Sequence, residues 1–289
     1  DRIYRKSAYY PPGSSVPKML PPDFTPDMVP PSAKEPCRNW FFKIASIREL
    51  IPRLYVEMSI LRCYSFLTSS EYEQALVRIT SMIRGIGDPL VAAYARCYLC
   101  RVGVSVAPNV KSHLLPNFYD FMTTIPQMSS STVQNQLAAE RVEPSAYFNL
   151  FVPAIDWLLQ CVAYRAPASI LENILEQCKT QSRNALLLNA VMSSFPPDFI
   201  SERAALFTSL IKDAEETGLP KHHLFRTLGM NVTLNSPPKD QQLNILNDVW
   251  KVVMKLKEPS DYITCAEVWI EYPAKHFGKR EVQKRQNGK

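Results

Sequence analysis

The segment Arg48–Glu57, with the sequence RELIPRLYVE, places a proline and an arginine inside an otherwise apolar, helix-periodic run. A proline within a helical pattern lacks a backbone donor and clashes with the preceding turn, so it marks either a kink or the start of a new helix. Apolar residues keep a helical spacing on both sides of Pro52, which favours a new helix. They are Trp40, Phe41, Ile44, Ile47 and Ile51 before it, and Leu54, Met58 and Leu61 after it. The pattern therefore predicts two helices that meet at Pro52.

Arg53 would project close to this junction. Its planar guanidinium has two uses that the sequence does not separate. It can cap carbonyl groups at the end of the preceding helix, or it can grip an acidic group on a partner protein. Both interpretations stay open at this point.

The composition of the whole chain favours an array of helices. At 289 residues the chain exceeds the usual size of one compact core, so it should form either two domains or one elongated, repetitive array. Its 8 glycines are well below the average share of roughly 7%. The alternation of apolar and polar residues that marks half-buried strands is nearly absent. We therefore expect an all-α fold, an irregular HEAT-like α-solenoid of antiparallel helix pairs.

Three regions are expected along the chain. Residues 1–36 hold nine of the 24 prolines and few residues that could close a core, which predicts an extended, disordered leader. Residues 37–276 should form the N-terminal part of the solenoid. Residues 277–289 should form a basic, disordered tail. Most of the net charge of +6 lies in the C-terminal segment, where Lys275, Lys279, Arg280, Lys284, Arg285 and Lys289 face only Glu281. A basic end on a nearly neutral body is typical of a solvated terminus and argues against a nucleic-acid-binding protein.

Start and stop signals predict the boundaries of individual helices. Residues 70–73 have the pattern of a capping box, and Asp88 followed by Pro89 opens the next helix, which should end before Pro108. Segment 126–144 gives the weakest helical signal, and Pro273 is expected to interrupt the last helix. The remaining helices are predicted at 110–125, 145–165, 167–180, 184–195, 198–217, 220–229, 240–257 and 260–276.

The motifs of the chain do not point to catalysis, to a cofactor or to a metal. Cys97 and Cys100 form a lone C-x-x-C in the middle of a predicted helix, whereas zinc needs four ligands and a redox motif needs a strand-to-helix turn. His222 and His223 are adjacent, so on a helix they point in different directions and do not form a metal pair. Seven cysteines, an odd number among apolar helix residues, are typical of reduced thiols in the cytoplasm. No stretch approaches the ~18 uninterrupted apolar residues of a membrane span, so membrane association would be peripheral.

Two long stretches, residues 38–57 and 82–103, resemble the N-terminal part of the large α-solenoid subunit of the retriever complex, the vacuolar protein sorting-associated protein 35-like family. They are more distantly similar to its retromer counterpart. The resemblance covers about residues 38–282 and departs from the family pattern at Pro273 and after Val282. Members of the family are much longer, and the chain begins at Asp1 without a methionine, so we expect it to be a fragment. Shorter matching segments lie at 132–137, 184–189, 220–222, 246–251 and 265–269.

The resemblance implies a non-catalytic scaffold for endosome-to-plasma-membrane recycling of cargo, cytoplasmic and peripherally associated with endosomes. It implies binding of an arrestin-like subunit through the Pro-Arg-Leu-Tyr motif, which is Pro52, Arg53, Leu54 and Tyr55 in this chain. It further implies a metallophosphoesterase-like subunit, whose site would lie in the missing C-terminal half. A complex of coiled-coil and COMMD-domain proteins is also implied, with a sorting nexin as an indirect cargo adaptor.

Two other classes of function compete with this interpretation. A helical-repeat scaffold that binds RNA, or proteins unrelated to endosomal sorting, would share the fold, but RNA binding needs basic and aromatic residues in register along the repeats, which the nearly neutral body lacks. A thiol or metal enzyme built on Cys97 and Cys100 would need further ligands.

Overall fold

The computed structural model describes residues 10–16, 18–68, 70–180, 183–216 and 218–277. Over those ranges the chain forms helices, turns and loops, and no β-strand, so the predicted all-α fold class is confirmed. Helices that are close in sequence pack against one another, as in an α-solenoid. Of the predicted leader, residues 1–9 and Pro17 lie outside the described residues, as does the predicted tail beyond Phe277.

The chain divides into two compact units, Asp1–Thr124 and Ile125–Lys289. This division falls within residues 37–276, which the sequence did not subdivide. The first unit contains α1 (Pro31–Ala45), α2 (Leu50–Ile60), α3 (Tyr72–Ile83), α4 (Pro89–Val106) and α5 (Leu114–Met122), with 3₁₀ helices at Pro26–Met28 and Leu61–Phe66. Helix α2 packs on α1 and α4, and α4 also packs on α3 and α5.

The first helix begins before the predicted end of the leader at residue 36. Helix α1 starts at Pro31, whose missing N–H is no loss at the first helical position, and it continues through Pro36. The residues before it are also packed: Leu20, Val29 and Ala33 are buried together beside Phe66. The described part of the leader therefore contains a small apolar cluster. The sequence did not predict it, because proline content indicates the local backbone conformation and not tertiary contacts.

The predicted junction at Pro52 exists, but its boundaries differ. Helix α1 ends at Ala45, and α2 begins at Leu50 with Pro52 in its first turn. The first four N–H groups of a helix have no intrahelical acceptor, so proline is tolerated there. The break lies in residues 46–49, which contain neither glycine nor proline, and the sequence pattern therefore gave no sign of it.

Two predicted helix starts had different outcomes. Asp88 caps α4 as expected, with its Oδ1 accepting a hydrogen bond from the Val91 N–H at 2.8 Å. The predicted capping box at 70–73 is not formed, because α3 begins at Tyr72 and its N-cap residue, Glu71, makes no side-chain cap hydrogen bond.

The second unit is organised around a helix formed by Lys221–Leu234. This helix, α14, packs against five other helices of the unit. Segment 126–144, for which the sequence signal was weakest, contains a helix with Ser130 as its N-cap. The unit comprises α6 (Ile125–Met128), α7 (Ser131–Glu140), α8 (Pro144–Asn149), α9 (Val152–Ala163), α10 (Ala168–Thr180), α11 (Ala185–Ser194), α12 (Pro197–Glu202), α13 (Ala204–Asp213), α14, α15 (Gln242–Val253) and α16 (Pro259–His276).

Close packing and buried hydrogen bonds join α14 to α16. The Trp269 indole N–H donates to the Phe225 carbonyl at 2.9 Å. A Cβ atom on Gly229 would lie 2.8 Å from a Val268 methyl group and 2.9 Å from the indole nitrogen, so only glycine permits this approach. Asn231, two positions after Gly229, donates to the Met192 carbonyl of α11 at 2.9 Å, so α14 is also bonded to a third helix. The contacts fix the register of the two helices.

Pro273 does not interrupt the last helix, contrary to the prediction. Helix α16 runs from Pro259 to His276 and includes Pro273 in its interior. Buried Trp269 and Tyr272 anchor the turn before the proline, and the His276 ring is 3.0 Å from the Thr233 carbonyl oxygen. Tertiary contacts on both sides of Pro273 therefore compensate for the backbone hydrogen bond that the proline removes.

One apolar segment has the length and composition of a membrane span. Residues Pro144–Ala163 meet both criteria, and half of this segment is buried inside the structure. It is divided between α8 and α9 and contributes Phe148, Leu158 and Leu159 to the core. Buried core helices meet the same criteria, so the segment gives only weak evidence for a span.

A buried histidine should make the stability of the first unit depend on pH. His113 is fully buried, and among the described residues neither of its ring nitrogens has a hydrogen-bond partner. Burial lowers its pKa from 6.5 to about 4. Between pH 6.5 and pH 4 His113 is protonated in the unfolded chain and stays neutral in the folded chain. The contribution of neutral His113 to the stability of the folded unit is therefore complete above pH 6.5 and falls progressively towards pH 4.

We expect the free energy of unfolding of the first unit to fall by about 2 kcal/mol between pH 7 and pH 5 through this group. Hydrogen exchange of amides in α3, α4 and α5 of the full chain would measure it. His113→Gln, which cannot titrate, should remove this part of the pH dependence. An equal pH dependence in both proteins would contradict the assignment.

Candidate partner-binding site

The four predicted site residues lie in sequence on α2, and the helix directs them to different environments. Pro52 is exposed, Arg53 and Tyr55 are partly buried, and Leu54 has 0% exposure. Successive helical residues point about 100° apart, so a run of four cannot share one surface. The motif therefore combines three residues that are accessible to solvent with one, Leu54, that is fully buried.

Leu54 belongs to the core of the first unit. Together with Met58 and Leu61 it forms the buried face that the helical spacing predicted. This face packs in a cluster with Leu76 and Ile79 of α3 and with residues of α4. Leu54 thus positions α2 and is not available to a partner while the unit is folded.

Arg53 lies beside a buried carboxylate of its own helix. Its Nε is 4.0 Å from Oε2 of Glu57, which is one turn further on and only 5% exposed. A second arginine, Arg78 of α3, forms a hydrogen-bonded ion pair with the other carboxylate oxygen, Oε1. Burial would lower the pKa of Arg78, but the hydrogen bond and charge of Glu57 outweigh it, so that pKa is raised.

The arrangement bears on one of the two interpretations of Arg53, the capping of the preceding helix. Its ion-pair partner is a carboxylate within α2, and the predicted capping of the preceding helix is replaced by this contact. Two arginines and one carboxylate leave an excess positive charge at the surface. The Arg53 side chain is 30% exposed, so it can also contact an acidic group from outside.

Tyr55 packs at the edge of the core on the α4 side. Its ring is 5.6 Å from that of Tyr98, centroid to centroid, with 30° between the planes. Burial is the main reason that its pKa is raised, so the phenol stays protonated. Its contact with α4 makes it mainly a positioning residue for α2.

The solvent face of α2 contains residues that the motif does not include. Pro52, Val56 and Ser59 lie on the side opposite Leu54, and Val56 is 40% exposed. Ile51 precedes Leu54 by three positions and is 42% exposed in the first turn of the helix. We call Pro52, Val56 and Ser59 the α2 surface. Sequence reasoning placed Ile51 on the buried face because it assigned that residue to the preceding helix. The helical spacing from Leu54, Met58 and Leu61 would have located the opposite face.

The other motifs considered in the sequence lie apart from α2 or inside the core. Cys97 and Cys100 are on α4, Cys100 is fully buried, and burial raises the pKa of Cys97. His222 is buried, and its Nε2 is 3.7 Å from the Asp261 carboxylate. Across the described ranges, no group of three or more His, Cys, Asp or Glu side chains could hold a metal ion.

Comparison with known proteins identifies the family. Residues 1–150 match the family model described as VPS35L, and residues 166–286 match the model described as VPS35L C-terminal domain. The second match extends past Val282, the residue after which the sequence analysis found a departure from the family pattern.

Curated relatives from distant organisms are similar over most of the chain. Proteins named VPS35 endosomal protein-sorting factor-like are 56% identical over 91% of the chain in Rattus norvegicus and 55% identical over 91% in Homo sapiens. A Dictyostelium discoideum protein of the corresponding name is 46% identical over 86%. The matched region is 28%, 27% and 26% of these three relatives, respectively, so the chain spans little more than a quarter of their length. With both family models and these relatives in agreement, the chain belongs to the VPS35L family.

Proposed function

We propose that the chain acts in endosomal protein sorting as part of a non-catalytic scaffold subunit, and that it binds an arrestin-like subunit through the α2 surface. Family membership supports the sorting role, since the relatives are named as endosomal protein-sorting factors. In the proposed role the subunit is cytoplasmic, associates peripherally with endosomes and serves the recycling of cargo to the plasma membrane in a retriever-like complex.

The observation that carries the proposed binding site is an exposed apolar strip beside an accessible arginine. Pro52 and Val56, one turn apart on α2, expose apolar area on the side of the helix next to Arg53, whose charge is only partly compensated by the carboxylate it shares with Arg78. The buried centre of a protein interface is more apolar than the rest of the surface, and arginine is enriched at interfaces. The buried face of α2 holds this strip in place through Leu54 and Met58.

Val56→Asp should weaken binding of the purified arrestin-like subunit at least about tenfold, because it replaces apolar contact area with a carboxylate whose desolvation in the interface costs more than ~1.4 kcal/mol. Isothermal titration calorimetry with the full chain would measure this. Val77→Asp is the matched control, since Val77 is also 40% exposed but lies on α3. Both variants should keep the helical content of the wild type.

Arg53→Ala should also weaken the complex, with less loss because Arg78 still pairs with Glu57. If Val56→Asp and Arg53→Ala both bind as tightly as the wild type, the α2 surface is not the binding site. If Val77→Asp binds as poorly as Val56→Asp, the loss is not specific to α2 and the site assignment fails.

We also propose the remaining partners that a retriever-like role requires. They are a metallophosphoesterase-like subunit, a complex of coiled-coil and COMMD-domain proteins, and a sorting nexin that acts indirectly as cargo adaptor. The metallophosphoesterase-like contact would use a part of the subunit outside this chain, which spans about 28% of the Rattus norvegicus relative. Neither nucleic acid nor a cofactor is part of the proposed role.

A further inference from the structure

Two cysteines from different elements meet next to α2. Cys37 lies on α1 and is 1% exposed, and Cys63 lies in the 3₁₀ helix Leu61–Phe66 and is half-buried. The Cys37 thiol is 3.5 Å from the carbonyl oxygen of Cys63, to which it donates. The Cys37 side chain therefore contacts the residue that carries the second thiol.

Aromatic contacts hold the two cysteines in this arrangement. Phe41, one turn after Cys37, packs edge-on against Tyr64, the residue after Cys63, with 4.5 Å between the ring centroids. On the other side, Phe24 stacks on Phe66 at 5.1 Å. The packing of these aromatic side chains therefore keeps the two cysteines close to each other.

The two thiols have different reactivity. The hydrogen bond from Cys37 is the main cause that lowers the pKa of Cys63 to about 7, with the positive charge of Arg62 adding to it and burial opposing it. The same hydrogen bond, followed by burial, raises the pKa of Cys37. At neutral pH Cys63 is therefore partly thiolate, the nucleophilic form, while Cys37 keeps its proton.

We propose that Cys37 and Cys63 form an oxidation site at which a peroxide converts the two thiols into a disulfide. The Cys63 thiolate attacks one oxygen of hydrogen peroxide, the O–O bond breaks, hydroxide leaves and Cys63 becomes a sulfenic acid. The Cys37 sulfur then attacks the Cys63 sulfur, the S–S bond forms, the S–O bond breaks and water leaves with the Cys37 proton. Two thiols and one peroxide thus give one disulfide and two water molecules.

The bond would join residues 26 positions apart and tie α1 to the segment that follows α2. A cross-link of this loop length limits the unfolded chain more than the folded one. Oxidation should therefore stabilise the position of α1 and of the cluster of Leu20, Val29 and Ala33 that packs against Phe66.

Other cysteines of the same chain provide internal controls. Cys97 is half-buried like Cys63, and Cys100 lies one turn away, but burial raises the pKa of Cys97. Burial likewise raises the pKa of Cys178 to about 12 and that of Cys265 to about 11. These thiols should react slowly with a peroxide at neutral pH.

The test uses the reduced full chain with one equivalent of hydrogen peroxide at pH 7. Remaining thiols are alkylated, and peptides are identified by mass spectrometry without reduction. We expect a cross-linked peptide pair containing Cys37 and Cys63 as the main product, formed at least about tenfold faster than oxidation of Cys97. In Cys37→Ala, Cys63 should stop at the sulfenic acid, which dimedone traps.

Several results would overturn the proposal. One is a wild-type chain in which Cys63 is trapped by dimedone as completely as in Cys37→Ala. Another is a disulfide pattern spread over the buried cysteines, or a Cys63 that reacts no faster than Cys97. A separate measurement follows the alkylation rate of Cys63 against pH: the midpoint should lie near 7 in the wild type and rise towards 9.0 in Cys37→Ala, and equal midpoints would contradict the assigned hydrogen bond.

Discussion

Trp269→Ala should lower the free energy of unfolding of the second unit by about 3–5 kcal/mol. The indole has no exposed surface and packs edge-on against Tyr272, with 6.1 Å between the ring centroids. It also fills the space above Gly229 and donates to the Phe225 carbonyl. Alanine would leave a cavity between α14 and α16 and remove this hydrogen bond, and both changes act on the helix that organises the unit.

Denaturant-dependent hydrogen exchange of α14 and α16 in the full chain measures this effect separately from the first unit. Trp269→Phe keeps most of the apolar volume and should cost less than the alanine variant. Ile270→Ala, at an exposed position of the same helix, should change the stability by no more than about 0.5 kcal/mol. Equal effects of Trp269→Ala and Ile270→Ala would show that α16 does not need the buried indole.

Leu54→Ala should lower the free energy of unfolding of the first unit by about 2–5 kcal/mol, the range for truncating a fully buried leucine. Leu54 packs on residues of α3 and α4, so the cavity would open where three helices meet. Hydrogen exchange of α2, α3 and α4 would measure the loss. Val56→Ala, two positions further on α2, truncates a side chain at an exposed position and should have a much smaller effect.

The same pair of variants separates a positioning role from a contact role in partner binding. Leu54→Ala should weaken the complex only to the extent that it unfolds α2. The affinity for the arrestin-like subunit should therefore fall in proportion to the rise in amide hydrogen-exchange rates of α2. Exchange rates unchanged by Leu54→Ala together with lost binding of the arrestin-like subunit would show instead that Leu54 is itself a contact residue.

The sequence predicted the parts of the site that depend on local spacing. Leu54, Met58 and Leu61 share a face because they are separated by three or four positions on one helix, and the structure buries all of them. Ile51 was assigned to the apolar face of the preceding helix but is exposed, because α1 ends at Ala45 and the helical phase does not continue through residues 46–49. Trp40, assigned to the same face, is exposed although it lies within α1.

Contacts between residues distant in sequence were not predictable from the pattern. Glu57 and Arg78 are 21 positions apart, and only the packing of α2 on α3 brings them together. The cluster of Leu20, Val29 and Ala33 likewise depends on Phe66, far along the chain. Proline content suggested an extended leader because it reports the local backbone and says nothing about tertiary partners.

The shared carboxylate of Glu57 has a consequence for how sequence variation at this site should be interpreted. Arg53 and Arg78 both approach Glu57, so loss of either one still leaves the buried negative charge with a positive neighbour. A substitution of Arg53 alone should therefore change the stability of the first unit little, because Arg78 keeps its hydrogen bond to Glu57, whereas loss of both arginines would leave the buried carboxylate without a cation and be severe. Such epistasis is not detected by mutational scans that change one residue at a time.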